Sequence, residues 1–275
     1  MARGGRRRRP GDDRIAAPAG FGARILILAP HPDDEVVASA AAIGRAQAGG
    51  ATVSVLFLTH GCIERAAMWP WARGRYAEAV ARRHAEAEQV CAQLDVAIAG
   101  RSDRPARHLW RDLAAAETEA RAALAATRAD QLWVPAFEGG NPDHDGASAI
   151  ASRFAAEGLS VLEFAEYNLA GGRANSHSFP APTDAEETLQ LTEAERVAKR
   201  RALALYASER GNLGYVASER EVCRPLTAYD YARPPHPGKL WYARFQWVPF
   251  RHPQVDFTRP ADVYAAISRY LAARP

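Results

Sequence analysis

Two short stretches of the chain carry side chains suited to holding a metal ion. The first is His31-Pro32-Asp33-Asp34-Glu35 and the second is Asn141-Pro142-Asp143-His144-Asp145, more than a hundred residues later. Two histidines and one carboxylate, with a position left open for water, form a catalytic zinc set; the same donors also form the facial triad of non-haem iron. Pro32 holds a turn, and a helix start behind it lets the residue three after His31 point back toward the same ion, which makes Asp34 the expected ligand. Asp33 then flanks the ion and can take a proton from a metal-bound water as general base. Carboxylates in a first helical turn are stabilised as anions by the helix dipole, which suits both roles. The three cysteines, Cys62, Cys91 and Cys223, are odd in number and widely spaced, so there is neither a disulfide framework nor a cysteine zinc pattern. A metal here is held by His and carboxylate, and His31, Asp34 and His144 would accept zinc, iron or cobalt.

The elements around these stretches read as alternating strands and helices. Arg24 to Ala29 is a short apolar strand, and a helix with Val36, Val37, Ala40 and Ile43 at helical spacing runs until Gly49 and Gly50. Thr52 to Thr59 is a second buried strand, and Tyr76 to Leu94 a helix with Val80, Ala87, Cys91 and Leu94 on one stripe. A weaker strand near Val96 to Ala99, a helix around Arg111 to Arg128, a strand at Leu132 to Ala136, a loop at GGNPDHDG, a helix at Ala147 to Ala156 and a strand at Ser160 to Glu166 continue the series. This order implies βαβ crossovers and a mostly parallel, Rossmann-like α/β sheet with helices on both faces. In such a sheet ligands bind beyond the carboxyl ends of the strands, where strand order reverses, so the loops carrying His31 and His144 are expected on one edge. Asn168 to Asp184 reads as a long polar loop. Thr192 and Glu195 form a capping box before a helix to about Glu209, LWYARFQWV (240–248) is an aromatic strand candidate, and Pro260 opens a final amphipathic helix.

Length and composition set the outer bounds. The 275 residues, 48% hydrophobic and 24% charged, suit one large domain: a core over about 24–210 and a small C-terminal strand and helix element over 211–275. Residues 1–20 hold six Arg and two Asp, so the net +3 of the chain belongs to a basic tail, read over 1–22 as disordered, and the remainder sums to −1. The folded part carries no nucleic-acid signature. No apolar run approaches the roughly 20 residues of a membrane span, and no apolar stretch of a secretory signal follows the arginines, so the chain reads as cytoplasmic. A homo-oligomer is compatible with the sequence.

At APHPDDE (29–35) and NPDHDGA (141–147) the chain resembles the zinc-dependent N-acetylglucosaminyl deacetylases, the group that includes the GPI-biosynthetic and mycothiol-biosynthetic de-N-acetylases and the LmbE-like proteins. RRHAEAEQVCAQL, whose Arg83 and Glu86 match the family's Arg-x-x-Glu, and KRRALALYASE from Lys199 to Glu209 extend the likeness over about 24–210. The resemblance implies zinc ligands His31, Asp34 and His144, the base Asp33, and Asp143 orienting the second site. It further implies removal of an acetyl group from an N-acylated amino sugar or its conjugate. The family usually has His where this chain has Asn141, and that His is associated with oxyanion stabilisation or protonation of the amine. An asparagine donates a hydrogen bond but not a proton, so the acid falls to His236, His177 or protonated Asp33.

Other polar residues have plainer readings. Glu35 supports the helix start, Asp145 caps, His84 belongs to a core stripe, His60 is structural or touches substrate, and His108 and His252 are surface. Trp69 and Trp71, with Arg65, Arg73 and Arg75, either form a self-packed lid or offer flat faces and donors to a sugar. The rival functions are an iron oxygenase, disfavoured because its triad belongs on an all-β scaffold, and a degenerate metal- or sugar-binding protein, against which the retained Asp33 argues. A dinucleotide-binding dehydrogenase is weaker still, since no GxGxxG follows the first strand.

Overall fold

The computed structural model describes residues 20–214 and 216–273, so most of the basic tail lies outside the described residues. Strands β1 (Arg24–Ala29), β2 (Thr52–Phe57), β3 (Ala97–Arg101), β4 (Gln131–Pro135) and β5 (Ser160–Phe164) are joined by helices α1 (Asp34–Ala48), α2 (Tyr76–Leu94), α3 (Leu113–Thr127) and α4 (Pro142–Ala156). A two-stranded ribbon, β6 (Tyr167–Asn168) with β7 (Asn175–Ser176), precedes β8 (Glu187–Gln190), α5 (Glu193–Leu205), β9 (Arg220–Pro225) and α6 (Pro260–Ala272). The main sheet runs β3-β2-β1-β4-β5-β9-β8, parallel from β3 through β5 and antiparallel at β9 and β8.

Alternation along the strands sorts the core into two layers. On β1, Leu26 and Leu28 face α3, α4 and α6, while Ile25 and Ile27 face α1, α2 and α5. Because both faces are covered, the central strands are apolar on both sides, which is why RILILA reads as a continuous run. Strand order reverses between β1 and β4, so the loops entering α1 and α4 open onto one crevice.

Helix α1 is broken at Ser39 (φ −147°, ψ 22°), and buried charge repairs the break. The Glu221 carboxylate accepts from the backbone N–H of Ala41 and Ala42, and Lys199 Nζ donates to Val37 O (2.9 Å) and Glu221 Oε1 (2.8 Å). The ion pair thus occupies the gap in the helical ladder, satisfying groups that would otherwise be buried unpaired. This contact ties the helix that carries Asp34 to β9 and α5.

Three expectations need correction. LWYARFQWV is a series of turns, not a strand: Ala243, Arg244, Gln246 and Val248 each bond three residues back. Its aromatics are drawn in different directions, Leu240 and Tyr242 inward and Phe245 and Trp247 outward, and it pairs with no sheet edge among the described residues. The polar segment after β5 contains β6 and β7, and the sheet gains β8 and β9, which were unexpected. Helix α4 begins at Pro142, five residues before the expected start. Asn141 is its N-cap, accepting from Asp143 N at 2.9 Å, with Pro142 at the first helical position.

Candidate metal centre

His31 lies in the loop after β1, Asp34 opens α1, and His144 sits in the first turn of α4. The crossover topology brings the three together: one donor atom from each lies within 4.8 Å of the others. Asp34 is central. Its Oδ2 is 3.2 Å from His31 Nδ1 and its Oδ1 is 3.3 Å from His144 Nε2, while the His31 backbone N–H donates to Oδ2 at 2.7 Å. His144 is fully buried, yet neither ring nitrogen has a hydrogen-bond partner. Buried imidazole nitrogens rarely stay unpaired, so an orphan Nε2 beside Asp34 and His31 fits a metal donor.

Asp33 stands beside this cluster at an unusual backbone angle (φ 140°), a region that non-glycine residues adopt at a cost of roughly 1–3 kcal/mol. The angle is stabilised by the Asp33 N–H bond to Glu35 Oε2 (3.0 Å), and Tyr206 OH donates to the other oxygen of Glu35. Arg83 Nη2 donates to Asp33 Oδ2 at 3.0 Å, and its Nη1 reaches Ser208 Oγ and Glu209 Oε1. Glu86 holds Ser208 through its backbone N–H and its hydroxyl, so the Arg83 and Glu86 pair braces the base position. Burial, partly offset by Arg83, pushes Asp33 up to about 6. Burial also works against a charged His31, but Asp34 and Asp143 outweigh it and hold the ring proton to about 10; His144 and His31 in turn outweigh burial at Asp34 and lower it.

Asp143 meets the opposite side of His31, its Oδ2 lying 3.0 Å from Nε2, and is fixed by the backbone N–H of Arg107 and Leu109. It therefore orients the first histidine, not only the second loop. Asn141 lines the cleft; its Oδ1 accepts at the cap, which leaves the amide nitrogen as its donor, and the side chain also bonds the Tyr167 hydroxyl. His236 is not brought to the cleft. It is buried behind the Gly139 turn, Nδ1 at 2.9 Å from Pro237 O, with Nε2 unpartnered. His177 is also remote, its two nitrogens facing Ala165 O and Ala217 O, and burial lowers it to about 3. Glu35 and Asp145 are structural as expected, Asp145 accepting from Gly139 N and Tyr264 OH. His60 accepts from Cys62 N at Nδ1, so Nε2 carries the proton toward Tyr76.

Sequence reasoning missed Glu166 and Glu138. Glu166 follows the carboxyl end of β5, wholly buried, with Oε2 3.8 Å from His144 Nδ1 and no hydrogen bond to either oxygen. A carboxylate behind a metal-ligating histidine fixes its tautomer and raises its basicity. Its signal was available: a charged residue ending a buried strand on the ligand-binding edge. Glu166→Gln is expected to weaken zinc binding about 10- to 100-fold, read by chelator competition, with the circular dichroism spectrum unchanged; unaltered affinity would leave Glu166 without a role.

Glu138, after β4, accepts from the backbone N–H of Glu166 and Tyr167 and from Asn168 Nδ2. Burial nonetheless pushes it up from about 4.5 to about 8. The folded state then binds more protons than the unfolded state across that interval, so the stability it contributes is full below the lower value and lost as pH rises through the upper. The melting temperature is expected to fall by about 5 °C between pH 5 and 8.5, and Glu138→Gln to flatten that slope. An identical slope in the variant would remove Glu138 as its source.

The cleft at this edge measures about 740 Å³ and is lined by His31, Asp33, Asp34 and Asn141 among others. The chain shares its α/β fold with solved deacetylase structures. It resembles a deacetylase of the teicoplanin biosynthesis pathway (TM-score 0.61, 17% identity, 75% of this chain and 99% of that one). It resembles equally the A40926 pseudoaglycone deacetylase (TM-score 0.57, 19% identity, 76% and 100%). Residues 26–155, a stretch that contains the loops carrying His31 and His144, match the model of the PIG-L family, described as GlcNAc-PI de-N-acetylase. No curated protein matches the chain. No helix among the described residues is long and apolar enough to cross a membrane.

Proposed function

We propose that the chain is a zinc-dependent N-deacetylase acting on an N-acylated amino sugar or its conjugate. The observation that carries this reading is the buried His31, Asp34 and His144 set, with Asp33 beside it at the mouth of a cleft. These three residues would hold the ion, and zinc bound there would supply Lewis-acid chemistry, polarising an amide carbonyl and acidifying water.

The chain's own residues do the rest. Asp33, held by Arg83, removes a proton from the attacking water, whose oxygen bonds to the acyl carbon. The Asn141 amide donates a hydrogen bond to the oxyanion as it develops, the role of a preorganised donor. Asp33 then returns the proton to the nitrogen as the C–N bond breaks, releasing amine and carboxylate. Asp33 lines the cleft whereas His236 and His177 do not, which favours a single residue as base and then acid.

The test is to strip the protein with a chelator, return zinc, iron(II) or cobalt(II), and measure amine released from N-acetylglucosamine and its glycosides. Amine release that vanishes on stripping and returns with zinc supports the proposal. Release indifferent to chelation would refute it.

A further inference from the structure

Among the described residues the exposed large apolar side chains are Trp71 (74%), Trp247 (73%), Phe250 (57%), Phe245 (45%) and Phe257 (39%). They occupy just two segments, the loop after β2 and the turns before α6, and both segments border the cleft, through Met68 and through Phe245 and Pro253. The segments also meet. Trp71 stacks flat on Trp69 (5.0 Å between centroids, 9°), Trp69 stands edge-on to His252 (5.1 Å, 85°), and His252 adjoins Phe250 (6.2 Å). Arg73 fixes the loop beneath by donating to Met68 O and Ala66 O. The result is an aromatic ledge beside the cleft, in which the half-buried His252, expected at the surface, packs between Trp69 and Phe250.

Its charge is mainly positive, with Glu64 and Asp256 at its borders. Residues 65–75 and 244–254 include Arg65, Arg73, Arg75, Arg244 and Arg251 and contain no Asp or Glu. Exposed apolar patches of this kind mark binding surfaces, and flat aromatic faces favour offset stacking on flat partners. Basic side chains among them favour a negatively charged one. Half of the ledge lies beyond the PIG-L match, which ends at residue 155.

Resting on the deacetylase reading, we infer that this ledge binds the aglycone of the substrate, and that the aglycone is aromatic and bears an acidic group. The sugar's N-acyl group enters the cleft while the aglycone lies across Trp71 and Phe250. These residues then set substrate preference without touching the reacting atoms.

The experiment measures binding by calorimetry, and amine release, for free N-acetylglucosamine and its 4-carboxyphenyl β-glycoside. Wild type is compared with Trp71→Ala and Phe250→Ala, both exposed enough to spare folding. The glycoside is expected to bind at least about tenfold more tightly than the free sugar, with the preference collapsing in both variants and shrinking at high salt. Preferential binding without amine release would sink the deacetylase reading and leave the ledge standing. Amine release from both compounds with no preference, or a preference untouched by either substitution, would overturn the ledge. Trp71-dependent sedimentation with phospholipid vesicles, or Trp71-dependent dimerisation in the ultracentrifuge, in place of glycoside preference would overturn it too, in favour of a membrane or a second copy.

Discussion

Asp33→Asn is expected to lower kcat for amine release about 10³-fold while leaving zinc affinity within about twofold of wild type, the range expected for a lost general base. Asparagine is the informative replacement. It has the shape of aspartate and leaves the backbone bond from residue 33 to Glu35 in place, so the loop should be kept, and it cannot take up a proton. Arg83 retains Ser208 and Glu209 as partners when Asp33 loses its charge, so the brace should survive. The expected signature is a fall in kcat with KM little changed, because the interaction lost is one made in the transition state. A fall in zinc content alongside the fall in rate would place Asp33 among the ligands instead.

His144→Ala should have the opposite signature. With an orphan Nε2 beside Asp34 and Glu166 behind the ring, His144 is read as a ligand, and its loss should raise the zinc dissociation constant by more than the roughly 10- to 100-fold expected for its outer partner. Activity should fall to background at zinc concentrations that saturate wild type. The ring is wholly buried, so circular dichroism must first establish that the variant folds. Normal zinc content in a folded His144→Ala protein would remove it from the centre. Together the two variants separate a residue that holds the ion from one that moves a proton.

The parts of the site legible in the sequence were those tied to strand ends. RILILA followed by HPDD, and LWVPA followed by NPDHD, announced two βα loops on one edge, and the fold brings His31, Asp34 and His144 to a single point. Glu166 was equally readable by that rule, but a carboxylate closing a strand gives no hint of which ring it faces. His236 attracted notice because a polar Pro-rich loop suggests exposure, yet Leu240 and the Gly139 turn pack it inside.

Strands β8 and β9 were hidden for a different reason. ETLQ and REVCRP look solvated, but Glu221 and Arg224 are buried and answered by Lys199 and Glu163, partners distant in sequence. Polar pattern misleads wherever buried charge is paired. The aromatic run at 240–248 misled in reverse, since β propensity is only a fit to a half-buried pleated surface, and among the described residues the run joins no strand.

The claim on which the account rests is that water, activated at a His31, Asp34 and His144 metal centre, cleaves an N-acyl bond. The most direct test is turnover of an N-acetylglucosamine glycoside by the zinc-loaded protein in ¹⁸O-water, with mass spectrometry of the acetate. One ¹⁸O atom in each acetate, with an equivalent of free amine, is the predicted result. Stoichiometric zinc with no amine, or a product whose new oxygen comes from O₂, would contradict it.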